Sequence, residues 1–162
     1  MREGDLHIRP ATLADAVAVR DLTRSAYAKW VPMIGREPKP MGADYEAAIQ
    51  THRIDLLLAG DEPVALIEMI PEEDCLLVEN IAVAPDHQGR GYGRRLMAHA
   101  EQVAVGLGFA RIRLYTNRRF EENVRLYLSL GYYVEREEIM ANGVSVHMRK
   151  DVSRLAERLP DA

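Results

Sequence analysis

The sequence predicts an α/β (α+β) domain built around one sheet, and three observations carry that expectation. Strand-like and helix-like hydrophobic patterns alternate along the chain. Leu76 to Val83, apolar enough for the centre of a sheet, runs through a glycine-rich stretch into the clearest helical stripe. Two turn signals, Gly60-Asp61-Glu62-Pro63 and Asn142-Gly143, each join strand-like runs into a hairpin.

In chain order, Leu6 to Arg9 reads as a short strand. Thr12 precedes Asp15 by three residues, a weaker form of the capping box. Val19, Leu22, Ala26, Tyr27 and Trp30 follow at helical spacing and predict an amphipathic helix over 13–30. Segment 31–44 holds Pro32, Gly35, Pro38, Pro40 and Gly42 and reads as a long, broken connection, the kind that often carries function. A short helix over Tyr45 to His52 comes next, then strands Ile54–Ala59 and Val64–Ile70 around the first turn. After the central strand and the glycines of 88–93, Leu96, Met97, Ala100, Val103, Ala104 and Leu107 form a helical stripe. Gly108 stands where a C′ residue belongs. Ile112 to Thr116 is a strand, and Glu121 to Leu130 a helix closed by Gly131. Tyr132–Glu137 and Val144–Lys150 form the last hairpin, and one helical turn is expected within 152–162.

Length and composition bound the functions available. The chain has 162 residues, enough for one ordinary domain over 1–162, with a core at about 6–150 and a short tail at 151–162. With 48% hydrophobic and 28% charged residues it has the balance of a folded protein rather than a disordered one. A domain this long buries roughly 68–70% of its unfolded surface, so no staple is needed. Cys75 is the one cysteine, which excludes an internal disulfide and a multi-cysteine zinc site. His7, His52, His87, His99 and His147 show no metal-ligand spacing, so no metal is expected. The 21 basic against 25 acidic residues give a net charge of −4, which disfavours nucleic acid as a partner. No signal peptide and no membrane span is legible, so the chain is expected to be cytoplasmic, soluble and intact as written.

Gln88-Gly89-Arg90-Gly91-Tyr92-Gly93 is the most informative stretch. Glycines admit close approach of a ligand to the backbone. The helix that follows offers unpaired N–H groups and a positive dipole end. Arg90, Arg94 and Arg95 add cationic charge, so the loop reads as a pyrophosphate cradle. A P-loop would end in Lys-Ser or Lys-Thr, and this loop runs into Arg94-Arg95. A dinucleotide fold wants G-x-G-x-x-G and a later acid, where this chain has G-x-G-x-G and then Arg111, Ile112 and Arg113. The bland reading is a glycine-rich strand-to-helix turn.

Gln88, Gly91 and Gly93 fall on the Q/R-x-x-G-x-G/A motif of the GNAT N-acetyltransferase superfamily, which this chain resembles. Ile81-Ala82-Val83-Ala84-Pro85 is similar to the end of that family's fourth strand. Asn123, Tyr127 and Gly131-Tyr132, spaced N-x-x-x-Y-x-x-x-G-Y, are similar to its Asn…Tyr…Gly-Phe/Tyr pattern, and the order of elements fits from residue 6 to about 150. The resemblance implies a mixed, mostly antiparallel sheet of about seven strands flanked by about four helices. It implies a splay between the fourth and fifth strands that admits the pantetheine arm of acetyl-CoA. Backbone groups of Ile81, Ala82 and Val83 would hold the arm, and the N–H groups of Gly89, Arg90, Gly91, Tyr92 and Gly93 the pyrophosphate. An N–H of the strand would also serve the oxyanion. Asn117 and Asn123 are further candidate contacts.

The implied activity is transfer of acetyl from acetyl-CoA to a primary amine, directly, in a ternary complex. Tyr127 and Asn123 are four apart and share a helix face. Alone, Tyr127 would read as a core aromatic; beside the glycine loop it becomes the group that protonates or hydrogen-bonds the leaving thiolate. An ammonium of pKa near ~10.4 is only about 0.04% free base at pH 7, a cost of roughly 4.6 kcal/mol, so a base helps. Glu79, two positions before Ile81, is expected on the same sheet face as Ile81. A carboxylate there is either paired, exposed at the splay, or the base, acting directly or through water. Trp30, Met33, Arg36, Met41 and Tyr45 lie on or beside the long connection. In this family that region contributes to the acceptor groove; packing of the loop is the alternative. Cys75 is not required for transfer. A non-catalytic acyl-CoA-binding or sensing domain is the rival function. The acceptor's identity and the oligomeric state stay open, a homodimer being one option.

Overall fold

A computed structural model describes residues 5–141 and 143–155. Seven strands form one sheet in the order β1-β2-β3-β4-β5-β7-β6. They are β1 (Leu6–Pro10), β2 (Arg53–Ala59), β3 (Glu62–Pro71), β4 (Leu76–Val83), β5 (Arg111–Asn117), β6 (Tyr133–Met140) and β7 (Gly143–Asp151). All neighbours are antiparallel except β4 and β5, which are parallel and pair only over Leu76–Val78 with Ile112–Leu114. Beyond Val78 the two strands separate, so the expected mostly antiparallel sheet and its splay are present.

The helices are α1 (Ala16–Tyr27), the single turn α2 (Val31–Ile34), α3 (Tyr45–Thr51), α4 (Tyr92–Gly106) and α5 (Glu121–Ser129). The helix expected over 13–30 is three pieces, with 3₁₀ turns at Leu13–Asp15 and Ala28–Trp30 flanking α1. Asp15 causes the first break. Its carboxylate takes the Thr12 N–H at 2.8 Å and Arg9 at 2.8 Å, which tightens the entry turn. The long connection is less irregular than its prolines suggest, since it holds α2 and a 3₁₀ turn at Lys39–Gly42. A left-handed Gly35 ends α2, and Asp44 caps α3 by accepting from the Ala47 N–H at 3.2 Å. Tyr132 lies outside β6, which begins one residue later and runs three residues past the expected end, to Met140. Asn142 of the expected hairpin turn, and most of the tail, lie outside the described residues. A 3₁₀ turn at Ser153–Leu155 opens that tail.

Two cores sandwich the sheet. On one face Leu96, Met97, Ala100, Val103 and Ala104 of α4 pack with Tyr127 of α5 on Ile67, Val78, Ile112 and Leu114. On the other, Val19, Leu22 and Ala26 of α1 and Tyr45 and Ala48 of α3 pack on Leu56, Leu66 and Ala82. The α4 stripe closes at Ala104, because Leu107 is half exposed at the helix end. Among the described residues no helix is long and apolar enough to cross a membrane.

Candidate active site

The site follows from one irregularity in β4. Met69 pairs with Val78 and Glu68 with Asn80, so Glu79 is an extra residue, a β-bulge, against β3. It stands one residue past the last β4–β5 pair. Bulges bend and twist a strand, and here the bend coincides with the opening of the splay. The bulge also resets the alternation of side chains. Val78 and Ile81 both pack on the α4 core, whereas Asn80 bonds Thr23 and Tyr45 on the opposite face. Glu79 therefore does not share the face of Ile81, as its spacing suggested. It points to the Asn80 side, where the Tyr115 hydroxyl donates to its Oε1 at 2.9 Å. Burial and the neighbouring Glu79 carboxylate push the Tyr115 phenol well above its ordinary pKa, so it stays a donor.

At the C-terminal end of β4 lies a cleft of about 350 Å³. Its walls include Tyr27, Lys29 and Trp30 from α1 and its extension, Ile81 to Val83, the glycine loop, and Asn123 and Tyr127 of α5. Gly89 (φ 81°) and Gly91 (φ 82°) are left-handed, a conformation glycine adopts without strain. A Cβ at either would meet nothing within 4 Å. Gly93 lies where α4 passes α5: a Cβ there would stand 3.5 Å from Leu126 Cδ2, an ordinary contact. The first helical bond of α4 is from Arg95 N–H to the Gly91 carbonyl, at 3.0 Å. The N–H groups of Tyr92, Gly93 and Arg94 are left free of intrahelical partners. His87, stacked on Tyr92 at 6.2 Å, has a buried Nδ1 without a partner among the described residues. Free donors, open space at two glycines and an orphaned polar atom in the wall fit a phosphate-bearing ligand.

Most of the residues nominated for cofactor binding lie together in this cleft. Ile81, Ala82, Val83, Gln88, Gly89, Gly91, Tyr92, Gly93, Asn123 and Tyr127 all line it. Arg90 is exposed and does not, and Asn117 lines the neighbouring cavity instead. The β4 backbone divides by parity. Tyr27 Oη donates to the Ile81 carbonyl at 3.4 Å and Gln88 Nε2 to that of Val83 at 3.0 Å, so both residues face the splay. The Ala84 N–H reaches Val64 on β3, and Ala82 between them belongs to the β3 side. Gln88 is thus a brace for the end of β4. Lys29, whose Nζ donates to Gln88 Oε1 at 2.9 Å, brings to the cleft a cation that no motif announced.

Tyr127 is buried, and burial raises its phenol pKa well above the ordinary value. Its ring meets Tyr132 edge-on at 6.2 Å, and among the described residues nothing hydrogen-bonds its hydroxyl.

A second cavity, of about 190 Å³, opens across the splay. Ile34, Pro38, Phe120, Met140 and Val144 make it largely apolar. Glu79, Tyr115 and Asn117 are polar in its wall, and Arg36 and Lys39 are its cations. Tyr27 lines both cavities and stands where they meet. Of the residues expected in an acceptor groove, Arg36 alone lines this cavity. Trp30 is buried and stacked on Phe120 at 4.4 Å, and Met33 lies with it on an outer groove. Met41 is core, and Tyr45 is buried with its hydroxyl donating to the Pro40 carbonyl at 2.6 Å. Tyr115 and Tyr27 were missed. Tyr115 alternates with the buried Ile112 and Leu114, a period-two signal that sends it to the other face. Tyr27 reads in sequence as part of a helical stripe, and nothing local marks it otherwise.

A splayed sheet with a helix N-terminus at its mouth and a carboxylate across the gap gives the domain two adjoining sites. A family model described as the acetyltransferase (GNAT) family matches residues 18–132, and the chain belongs to that family. Solved structures agree in fold. A GNAT-family protein from Desulfovibrio desulfuricans superposes with a TM-score of 0.77 at 18% identity, over 91% of this chain and 99% of its own. The spermidine/spermine N-acetyltransferase SpeG of Vibrio cholerae gives 0.71 at 20% identity, over 97% and 98%. The PaiA N-acetyltransferase of Thermoplasma acidophilum, solved with coenzyme A, gives 0.72 at 16% identity, over 90% and 98%. In sequence, mouse N-alpha-acetyltransferase 80 is 39% identical over 67 residues, 41% of this chain. That match spans 20% of the mouse protein's length.

Proposed function

We propose that the chain transfers the acetyl group of acetyl-CoA to a primary amine, by direct attack while both substrates are bound. The observation that carries this reading is the adjacency of the two sites. A cleft with free N–H groups at its mouth and a cavity with a carboxylate meet at Tyr27, across the splay. The N–H groups of the α4 start, with Lys29 and Arg94, receive the pyrophosphate. Ile81 and Val83 present backbone edges to the pantetheine arm, and an N–H there steadies the oxyanion.

Glu79, held by Tyr115, takes one proton from the incoming ammonium, directly or through water. The freed amine forms the new N–C bond as the C–S bond breaks, and its second proton ends on the CoA sulfur. Tyr127 donates a hydrogen bond to the departing thiolate. Because burial raises its pKa, full transfer of the phenolic proton is uphill.

The test is a thermal-shift titration followed by a panel of primary amines read by CoA release. Stabilisation by acetyl-CoA together with release above background on at least one amine is expected. Stabilisation with no release on any amine would leave an acyl-CoA-binding module.

A further inference from the structure

We propose that Glu68 and His52 form a positioning pair that carries the proton taken up by Glu79 out to solvent, through a third cavity behind the acceptor site. The inference rests on the acetyltransferase reading above. The cavity measures about 280 Å³ and shares Glu79, Lys39 and Pro40 with the acceptor cavity. Glu68, His52, Tyr45 and Asn80 line its far side.

Four features separate this pair from an ordinary ion pair. The β4 bulge places Glu79 and Asn80 on the face where Glu68, the cross-strand partner of Asn80, already points. Glu68 is buried, 4% exposed, where a carboxylate is costly unless it is paired. Its Oε2 is 2.6 Å from Nδ1 of His52, whose side chain is 30% exposed and reaches the surface at the end of α3. Among the described residues the buried Asn80 Oδ1 has no partner, a polar site suited to holding water between the two carboxylates.

The charged and titratable groups that face Glu68 come from every element around it. They are His52 and Tyr45 from α3 and its end, Asp44 and Lys39 before it, Glu79 from β4 and Tyr115 from β5. Burial lifts the Glu68 carboxyl above its ordinary pKa and Glu79 lifts it further, while His52 and Lys39 oppose them. A carboxyl that binds a proton more readily than usual suits transient occupancy. Glu68 takes up the proton on its cavity side and passes one across the Oε2–Nδ1 contact to the His52 ring, which releases the proton of its other nitrogen, Nε2, to solvent. One proton enters and one leaves, so the net charge returns to its starting value, and exchange of the ring protons with solvent restores the starting tautomer.

Glu68→Gln and His52→Ala, each checked by a melting curve, are assayed with the amine on which the wild type turns over fastest. Both are expected to lower kcat about tenfold at pH 7, leaving the KM values of amine and acetyl-CoA within about twofold. His52→Ala should regain most of that loss in imidazole buffer, whereas Glu79→Gln should not. Folded variants with wild-type kcat and an unchanged pH profile would overturn the relay while leaving acetyl transfer standing. So would a rise in KM for diamines with kcat held, which would make Glu68 a binding group for a second ammonium. A wild type that acetylates no amine fails at the earlier reading, and the relay falls with it.

Discussion

The two halves of the site are made of different material. The cleft at the start of α4 is largely backbone: free N–H groups, two left-handed glycines and the splay-facing edge of β4. The cavities across the splay owe their chemistry to side chains: Glu79 on Tyr115, Glu68 on His52, Asn80 on Tyr45. A backbone site depends on a local conformation, and few residue types can adopt it. A side-chain site depends on which strands stand side by side and in what register. Substitutions should therefore separate the halves, the first set acting on affinity and the second on turnover.

The largest effect is expected at Gly91. Gly91→Asp places a carboxylate where phosphate is expected and forces a side chain to φ 82°. Affinity for CoA should fall roughly 100-fold, about 2.7 kcal/mol. The left-handed backbone itself costs only about 1–2 kcal/mol, so the fold should persist. Calorimetric titration beside a melting curve checks this. Wild-type affinity in the folded variant would move the phosphate elsewhere.

Glu79→Gln should instead spare CoA affinity and lower kcat by about 100-fold or more at pH 7. The deficit should shrink at high pH, where the amine has already lost its proton. A deficit of constant size across pH would return Glu79 to a structural role.

Tyr127 tests the boundary, because it lines the backbone-built cleft yet is expected to act through its hydroxyl. Tyr127→Phe should lower kcat roughly 10- to 100-fold with CoA affinity nearly unchanged. The melting temperature should hardly move, since no described group bonds that hydroxyl. Destabilisation with normal turnover would sink its role toward the thiolate.

The smallest effect belongs to a carboxylate outside both halves. Asp15, beside Arg9, has its pKa lowered to about 2 from the ordinary 3.8. The guanidinium is the main cause, supported by the Thr12 N–H. A depressed folded-state pKa adds stability that is present above about pH 4 and lost as the pH falls toward 2. The pair is partly exposed, so Asp15→Asn should cost no more than about 1 kcal/mol at pH 7. The gap to wild type should close near pH 2, with kcat untouched. Chemical denaturation at the two pH values measures it.

By itself the sequence determined the elements and the cleft. Hydrophobic periodicity is local, so α4, α5 and the central strands are legible within a dozen residues. The glycine loop is legible because Gly89 and Gly91 must sit at positive φ and a helix must follow. Only the tertiary structure decided the other half. An inserted residue in β4 is visible only against β3, and it is what turns Glu79 away from Ile81 and toward Tyr115 and Glu68. Lys29 meets Gln88 from 59 residues away, and Tyr115 meets Glu79 from 36. Such contacts are set by strand order and register, which no short window of sequence contains, because a shift of one residue sends every side chain to the opposite face.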